Sequence, residues 1–285
     1  MAPAGDLVLT ADVLGEPLIL TASQRTSGAL SSLRWRGREF LNAFDHGREL
    51  QSALSFDGWG ECYNPTEAGS RNDGTGSVST SRLIRSRVSG NTLETETDMA
   101  FWLAPGQAYP RGCGSRKSLM VAQNQSERDG YILHKRITVG ADGVRNAILY
   151  DAEFTISHAH ESATYELATA YMQPEFDLFL TYDPATDRIE PLSAGPGEQG
   201  LPVILSTPDR RFAMGVWSPD PAARYGRFQF LGNPQLSGWN TVKWNCVFRA
   251  KNVMPGVYRN RCYAVVGNVD EVARGIATLA HSHRK

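Results

Sequence analysis

Apolar side chains recur at every second position over much of the chain, the repeat of a half-buried strand. Residues 7–14 open with Leu7, Leu9, Ala11 and Val13 on one face. Residues 30–41 read as a strand, a turn at Gly37 and a second short strand, and residues 91–102 alternate through polar positions. The runs 131–139 and 146–156 flank Gly140-Ala-Asp-Gly, which predicts a hairpin closed by a short Asp-Gly connection. Further strands are expected at 176–182, 211–217, 225–231, 242–249 and 258–266, with a Gly- and Pro-rich loop at 191–202. One stretch, 270–280, has helical spacing. Val272, Ile276 and Leu279 share a face there, and Asn268 or Asp270 supplies an N-cap. Short strands with frequent turn residues predict an all-β fold, an antiparallel β-sandwich with a short C-terminal helix. Residues 1–285 are expected to form a single domain.

Composition narrows the partners. Lys+Arg is 29 and Asp+Glu is 30, a net charge of −1. That balance gives no positive field for nucleic acid or an anionic membrane. No apolar run approaches the roughly 20 residues of a membrane helix. The start, Met1-Ala-Pro-Ala-Gly-Asp, lacks a basic region followed by an apolar one, so as written the chain reads as cytoplasmic. An exported protein with its signal removed would read the same way. Only five of the basic residues are lysines, at 117, 135, 243, 251 and 285. The arginines suit planar acceptors such as carboxylates, beside the plainer explanation of a GC-rich genome.

Cofactor motifs are missing. There is no P-loop, no GxGxxG after a strand, no GxSxG elbow and no HExxH. Cysteines at 62, 113, 246 and 262 form no CxxC, so no cofactor and no metal is expected. Cys246 and Cys262 lie symmetrically about Met254, in a Met-Pro-Gly turn. This places them on neighbouring strands, either as a reduced packed pair or as a cross-strand disulfide.

The informative segment is 45–76. Glycines at 47, 58, 60, 69, 74 and 76 separate a dense set of acids, amides and arginines, with Trp59 and Tyr63 among them. A Gly-rich recognition loop on a rigid β scaffold fits this composition. A sugar needs an aromatic face for its C–H surface and planar polar groups for its hydroxyls. The expected substrate-binding residues are His46, Arg48, Gln51, Trp59, Tyr63, Asn64, Arg71 and Asp73, with Trp239 as a second platform beside Trp59. The expected partner is therefore a saccharide. Glu61 and Glu67 are the catalytic candidates, converging around Pro65 as acid and base or acid and nucleophile. His134 and His158 are the next candidates. His158 shares a face with His160 in an extended stretch. Along 165–171, regular alternation puts Tyr165, Leu167, Thr169 and Tyr171 on one face, and Glu166 on the other, either solvated or in a pocket there.

The run Gly28-Ala-Leu-Ser-Ser-Leu-Arg-Trp-Arg-Gly-Arg-Glu-Phe-Leu resembles the early strands of galactose mutarotase-like β-supersandwich proteins, the aldose 1-epimerase type. Asp45-His-Gly-Arg and the closing Val253-Met-Pro-Gly before a strand and helix are similar too. The resemblance covers the layout of most of the chain and implies a carbohydrate-active protein. Its epimerases pair a His acid with a Glu base. Three functions follow. The first is cleavage of a glycosidic bond by carboxylates of the 45–76 loop. The second is mutarotation or epimerisation by a His/Glu pair. The third, disfavoured by size, is a non-catalytic carbohydrate-binding domain.

Overall fold

The computed structural model describes residues 5–56, 64–109, 120–231 and 238–284. Its strands form one 19-stranded hydrogen-bonded network, which divides by its ladders into two antiparallel layers. One layer runs β7 (Arg82–Ser89), β8 (Thr92–Phe101), β9 (Arg128–Val139), β10 (Ala147–Ile156), β19 (Gly256–Gly267), β16 (Ala213–Trp217), β15 (Val203–Ser206), β12 (Leu178–Asp183), β13 (Arg188–Pro191). The other runs β1 (Leu7–Val13), β2 (Glu16–Ala22), β3 (Leu30–Trp35), β5 (Leu50–Phe56), β11 (His160–Met172), β18 (Thr241–Val253), β17 (Arg224–Phe230), β14 (Gly197–Gln199). The short β4 (Arg38–Glu39) turns back on β3. The short β6 (Pro65–Thr66) pairs with both β5 and β8 and so stitches the layers together.

The two-residue period decides which face each strand buries. In β10, Ile148, Tyr150, Ala152 and Phe154 enter the core, where they join Leu54, Tyr165, Trp244 and Cys246 of the other layer. β19 is buried on both sides. Cys262, Ala264 and Val266 face the sandwich, while Tyr263 and Val265 face the helix α1 (Val269–Ser282). That helix packs Val272, Ile276 and Leu279 on the outside of the first layer. Asn268 is its cap. Asn268 Oδ1 accepts from Glu271 N at 2.8 Å, and Glu271 Oε2 accepts from Asn268 N at 2.8 Å. Among the described residues, no helix is long and apolar enough to cross a membrane. Among the described residues no helix covers the outer face of the second layer at β5, β11 and β18, which carries polar side chains and floors the site described below.

Three expectations need correction. The 45–76 segment is not one loop, because β5 and β6 run through it. The 191–202 loop contains a short strand, β14, paired with β17. Cys246 and Cys262 do not face each other across a hairpin. β18 bonds to β11 and β17, whereas β19 bonds to β10 and β16, so the turn after Val253 carries the chain from one layer to the other. The two thiols meet across the core instead. Both are free and buried, and burial pushes the Cys246 thiol well up.

The core also encloses charge. Lys135 and Glu67 form an ion pair with no side-chain exposure at either partner. Lys135 Nζ also donates to Gly28 O at 3.0 Å and lies 5.4 Å from the Tyr150 ring centre. Glu67 Oε2 accepts from Ser52 N at 3.0 Å, and Ser52 Oγ donates to Leu167 O at 2.7 Å. The network ties β9 of the first layer to β5 and β11 of the second. Burial draws the Lys135 ammonium down, while the Glu67 charge opposes that shift. A second buried carboxyl, Glu49, has only a 3.4 Å bond from Gln51 Nε2, and its Oε1 has no partner. Burial raises Glu49 well above the ordinary carboxylate value.

These buried groups make two predictions. Lys135→Met strands a buried carboxylate and should cost about 3–5 kcal/mol in urea unfolding, whereas Lys135→Met with Glu67→Leu should recover most of it. Burial raises the Glu49 pKa in the folded state above the 4.5 it has when unfolded. Its contribution to stability is therefore full below pH 4.5 and is lost as pH rises through the raised folded value. Glu49→Gln should melt higher than the wild type at about pH 8, with the gap narrowing towards pH 4.5, as followed by thermal unfolding across pH.

Candidate active site

A pocket of about 650 Å³ opens on the outer face of the second layer. Its floor is Gln51 and Ala53 of β5, Glu166, Thr169 and Tyr171 of β11, and Lys243 of β18. Its walls are the turns holding Asp45 to Arg48 and Asn64 to Gly74, with Trp102, Tyr109, Phe230 and Trp239. A volume of this size suits a small-molecule ligand.

The floor depends on an irregularity in β11. Pairing with β5 and with β18 shifts register just after Glu166. Tyr165 and Leu167 are in the core, and so are Ala168, Ala170 and Met172. Two consecutive residues, Leu167 and Ala168, thus point inward. Past that bulge every side chain changes face. Glu166 before it and Thr169 and Tyr171 after it therefore share the pocket. Regular alternation had put Glu166 opposite Thr169; the bulge overturns that expectation. Thr169 Oγ1 donates to Glu166 Oε2 at 2.7 Å.

Lys243 stands opposite Tyr171 in the β11–β18 register. Its Nζ lies 3.8 Å from Glu166 Oε2 and 3.4 Å from Tyr171 Oη. Side-chain exposure is 11% for Lys243 and 16% for Glu166, so the pair acts in a low dielectric where its field is little screened. The same ammonium sits 5.0 Å from the Tyr171 ring centre and 4.8 Å from that of Phe228. On the wall, Arg48 pairs with Asp45 and stacks 4.2 Å over Trp239. Arg71 lies 5.4 Å over Tyr109. Arg48 Nε and Asn64 Oδ1 are buried with no hydrogen-bond partner.

Of the expected binding residues, His46, Arg48, Gln51, Asn64, Arg71 and Trp239 line the pocket together. Two of these are mainly scaffold. His46 Nδ1 is 2.7 Å from Ala68 O and its Nε2 is 3.0 Å from Gly76 O, so both ring nitrogens are taken up by backbone. Gln51 Oε1 accepts from Ala68 N at 3.2 Å. Asp73 is not among the lining residues. Its Oδ2 accepts from Ser70 N at 2.7 Å, Thr80 N at 2.9 Å and Thr80 Oγ1 at 2.6 Å, which holds the turn shut. Gly69, at φ +118°, is required there, because a Cβ would run into Asp73 and Ser79.

The expected catalytic residues are scattered. Glu67 points into the core at Lys135, since the chain after β6 dips between the layers. Glu61, Trp59 and Tyr63 lie outside the described residues. His134 belongs to β9 in the other layer, opposite Glu96 and Glu153, and is not part of the pocket. His158 lines a smaller cavity of about 350 Å³ with His160 and Asp129, and its Nε2 is 2.9 Å from Asp129. His160 is 2.9 Å from Tyr131 Oη and stacks on Phe56 at 3.7 Å. Among the described residues, no three His, Cys, Asp or Glu are placed to hold a metal ion. Glu166, Lys243, Tyr171, Trp102 and Tyr109 were not selected from sequence. Lys243 carried the clearest signal, a lysine flanked by Val242 and Trp244 in a lysine-poor chain.

No family model and no curated protein matches the sequence. Solved structures do. A putative aldose 1-epimerase from Escherichia coli K12 superposes with a TM-score of 0.50 at 8% identity, over 93% of this chain and 100% of that one. Heparan sulfate lyase HepC from Pedobacter heparinus gives 0.49 at 9% identity, over 94% of this chain and 36% of the lyase. A 4-alpha-glucanotransferase from Thermococcus litoralis gives 0.49 at 9% identity, over 94% and 40%. The chain thus spans only about a third of the lyase, while it matches the epimerase over its full length. The all-β, mutarotase-like fold expected from sequence is the fold this chain has.

Proposed function

We propose that the pocket binds a saccharide and that the protein interconverts the anomers of a free sugar by proton transfer. The observation that carries this reading is the Glu166–Lys243 pair, 3.8 Å apart on the floor of an aromatic-walled pocket. Opening a cyclic sugar needs a base at the anomeric hydroxyl and an acid at the ring oxygen. The Glu166 carboxylate takes the hydroxyl proton as the C1–O5 bond breaks, and the Lys243 ammonium protonates O5. The aldehyde turns about C1–C2. The O5 hydroxyl then attacks the other face, returns its proton to the Lys243 amine, and the Glu166 carboxyl reprotonates the new anomeric oxygen. Thr169 orients the carboxylate. Trp102, Tyr109 and Trp239 offer ring faces to the sugar, and Arg48 and Asn64 offer planar polar groups.

The fold shared with a putative aldose 1-epimerase supports this assignment. Both His46 ring nitrogens are engaged by backbone carbonyls and not turned to the sugar, so the donor's role passes to Lys243. Glycosidic cleavage requires two working carboxylates. Among the described residues the pocket's other carboxylate is Asp45, which is bound to Arg48, and Glu67 is in the core. That leaves cleavage the weaker reading.

The test is polarimetry on freshly dissolved aldoses beside a panel of aryl glycosides. The protein should speed mutarotation and release no aglycone. Glu166→Gln should lower that turnover by roughly 10²–10⁴ while circular dichroism stays unchanged. Aglycone release without faster mutarotation would put a hydrolase in its place.

A further inference from the structure

We infer that the sugar taken by this pocket bears a carboxylate, as in a hexuronic acid, and that Arg71 reads it. The inference rests on the saccharide reading above. It starts from charge. Two of the cations lining the pocket carry their own counter-ions, Arg48 with Asp45 and Lys243 with Glu166. Arg71 has none; no described carboxylate lies within ion-pair reach of it. The nearest in sequence, Asp73, spends its carboxylate on Ser70 and Thr80.

Arg71 is nonetheless held in place. Its backbone N donates to Trp102 O at 2.8 Å, and it opens a single 3-10 turn capped at Ser70. Asn72 and Gln107 exchange amide bonds at 3.5 and 3.2 Å, which pins the loop segment of Tyr109 beside that turn. Tyr109 then lies beneath the guanidinium at 5.4 Å. The planar guanidinium fork suits a two-point bond to a carboxylate. Among the described residues the surplus is one positive charge. A uronate balances it with one negative charge, whereas a phosphate monoester brings about −1.5 to −2 at pH 7.

The experiment is calorimetric titration of the whole protein with glucuronate and galacturonate, glucose and galactose, and glucose 6-phosphate, at low and high salt. The wild type should bind a hexuronate ~10–100-fold more tightly than its parent hexose, the range of one charge-assisted bond. Added salt should shrink the difference. Arg71→Gln should bring the uronate down to hexose affinity. Arg71→Lys, keeping charge but not the fork, should fall between. Glu166→Gln should keep the uronate preference while losing turnover. Equal affinity for hexose and hexuronate, tighter binding of the phosphate, or an undiminished preference in Arg71→Gln each overturns the inference. If neutral aldoses are still mutarotated in those cases, the proposed activity stands without it. If no sugar binds at all, both fall.

Discussion

The fold hangs on a charge placed where charge is most expensive. Lys135 and Glu67 are fully shielded between the layers, and each would be untenable without the other. Their bonds reach Gly28, Ser52 and, through Ser52, Leu167. One end of the network is thus a strand of the first layer. The other is the pair of strands, β5 and β11, that floors the pocket. An apolar core of the same volume would hold the layers together equally well. It would not fix the depth at which the chain after β6 enters the core, and that depth sets the wall from Asn64 to Gly74.

The same anchoring favours the bulge in β11. Leu167 O is held by Ser52 Oγ, and Leu167 and Ala168 are both packed in the core. The register shift turns Glu166 towards Thr169 and Lys243. In a regular strand the carboxylate would share a face with neither Thr169 nor Tyr171. A packing feature of the core therefore decides the chemistry on the outside of the sheet.

Around that floor, many polar side chains serve the backbone. His46 bridges two carbonyls, Gln51 meets the Ala68 amide, and Asp73 closes the Ser70 turn. These bonds cost little on ligand binding because they are already made. Among the charged groups, Arg71 at the wall and the Glu166–Lys243 pair at the floor have the most to offer a ligand.

Much of the fold was legible in the residues themselves. Period-two alternation gave strands in both layers, such as β1, β9, β10 and β18, though not β2, β5, β7 or β15, and the spacing of Val272, Ile276 and Leu279 gave the helix α1, because local burial patterns are written locally. Part of the pocket's wall was legible as a polar Gly-rich run, although many of its side chains, His46, Glu49 and Glu67 among them, are buried. The reactive pair was not. Glu166 and Lys243 are far apart in sequence and meet only because β11 and β18 are paired. Glu166 faces the pocket only because a bulge breaks the alternation that sequence reasoning assumes. Glu67, which looked like a site acid, went to the core because Lys135 was waiting there. Long-range pairing, strand register and the partner of a buried charge are properties of the assembled sandwich, and only the tertiary structure could decide them.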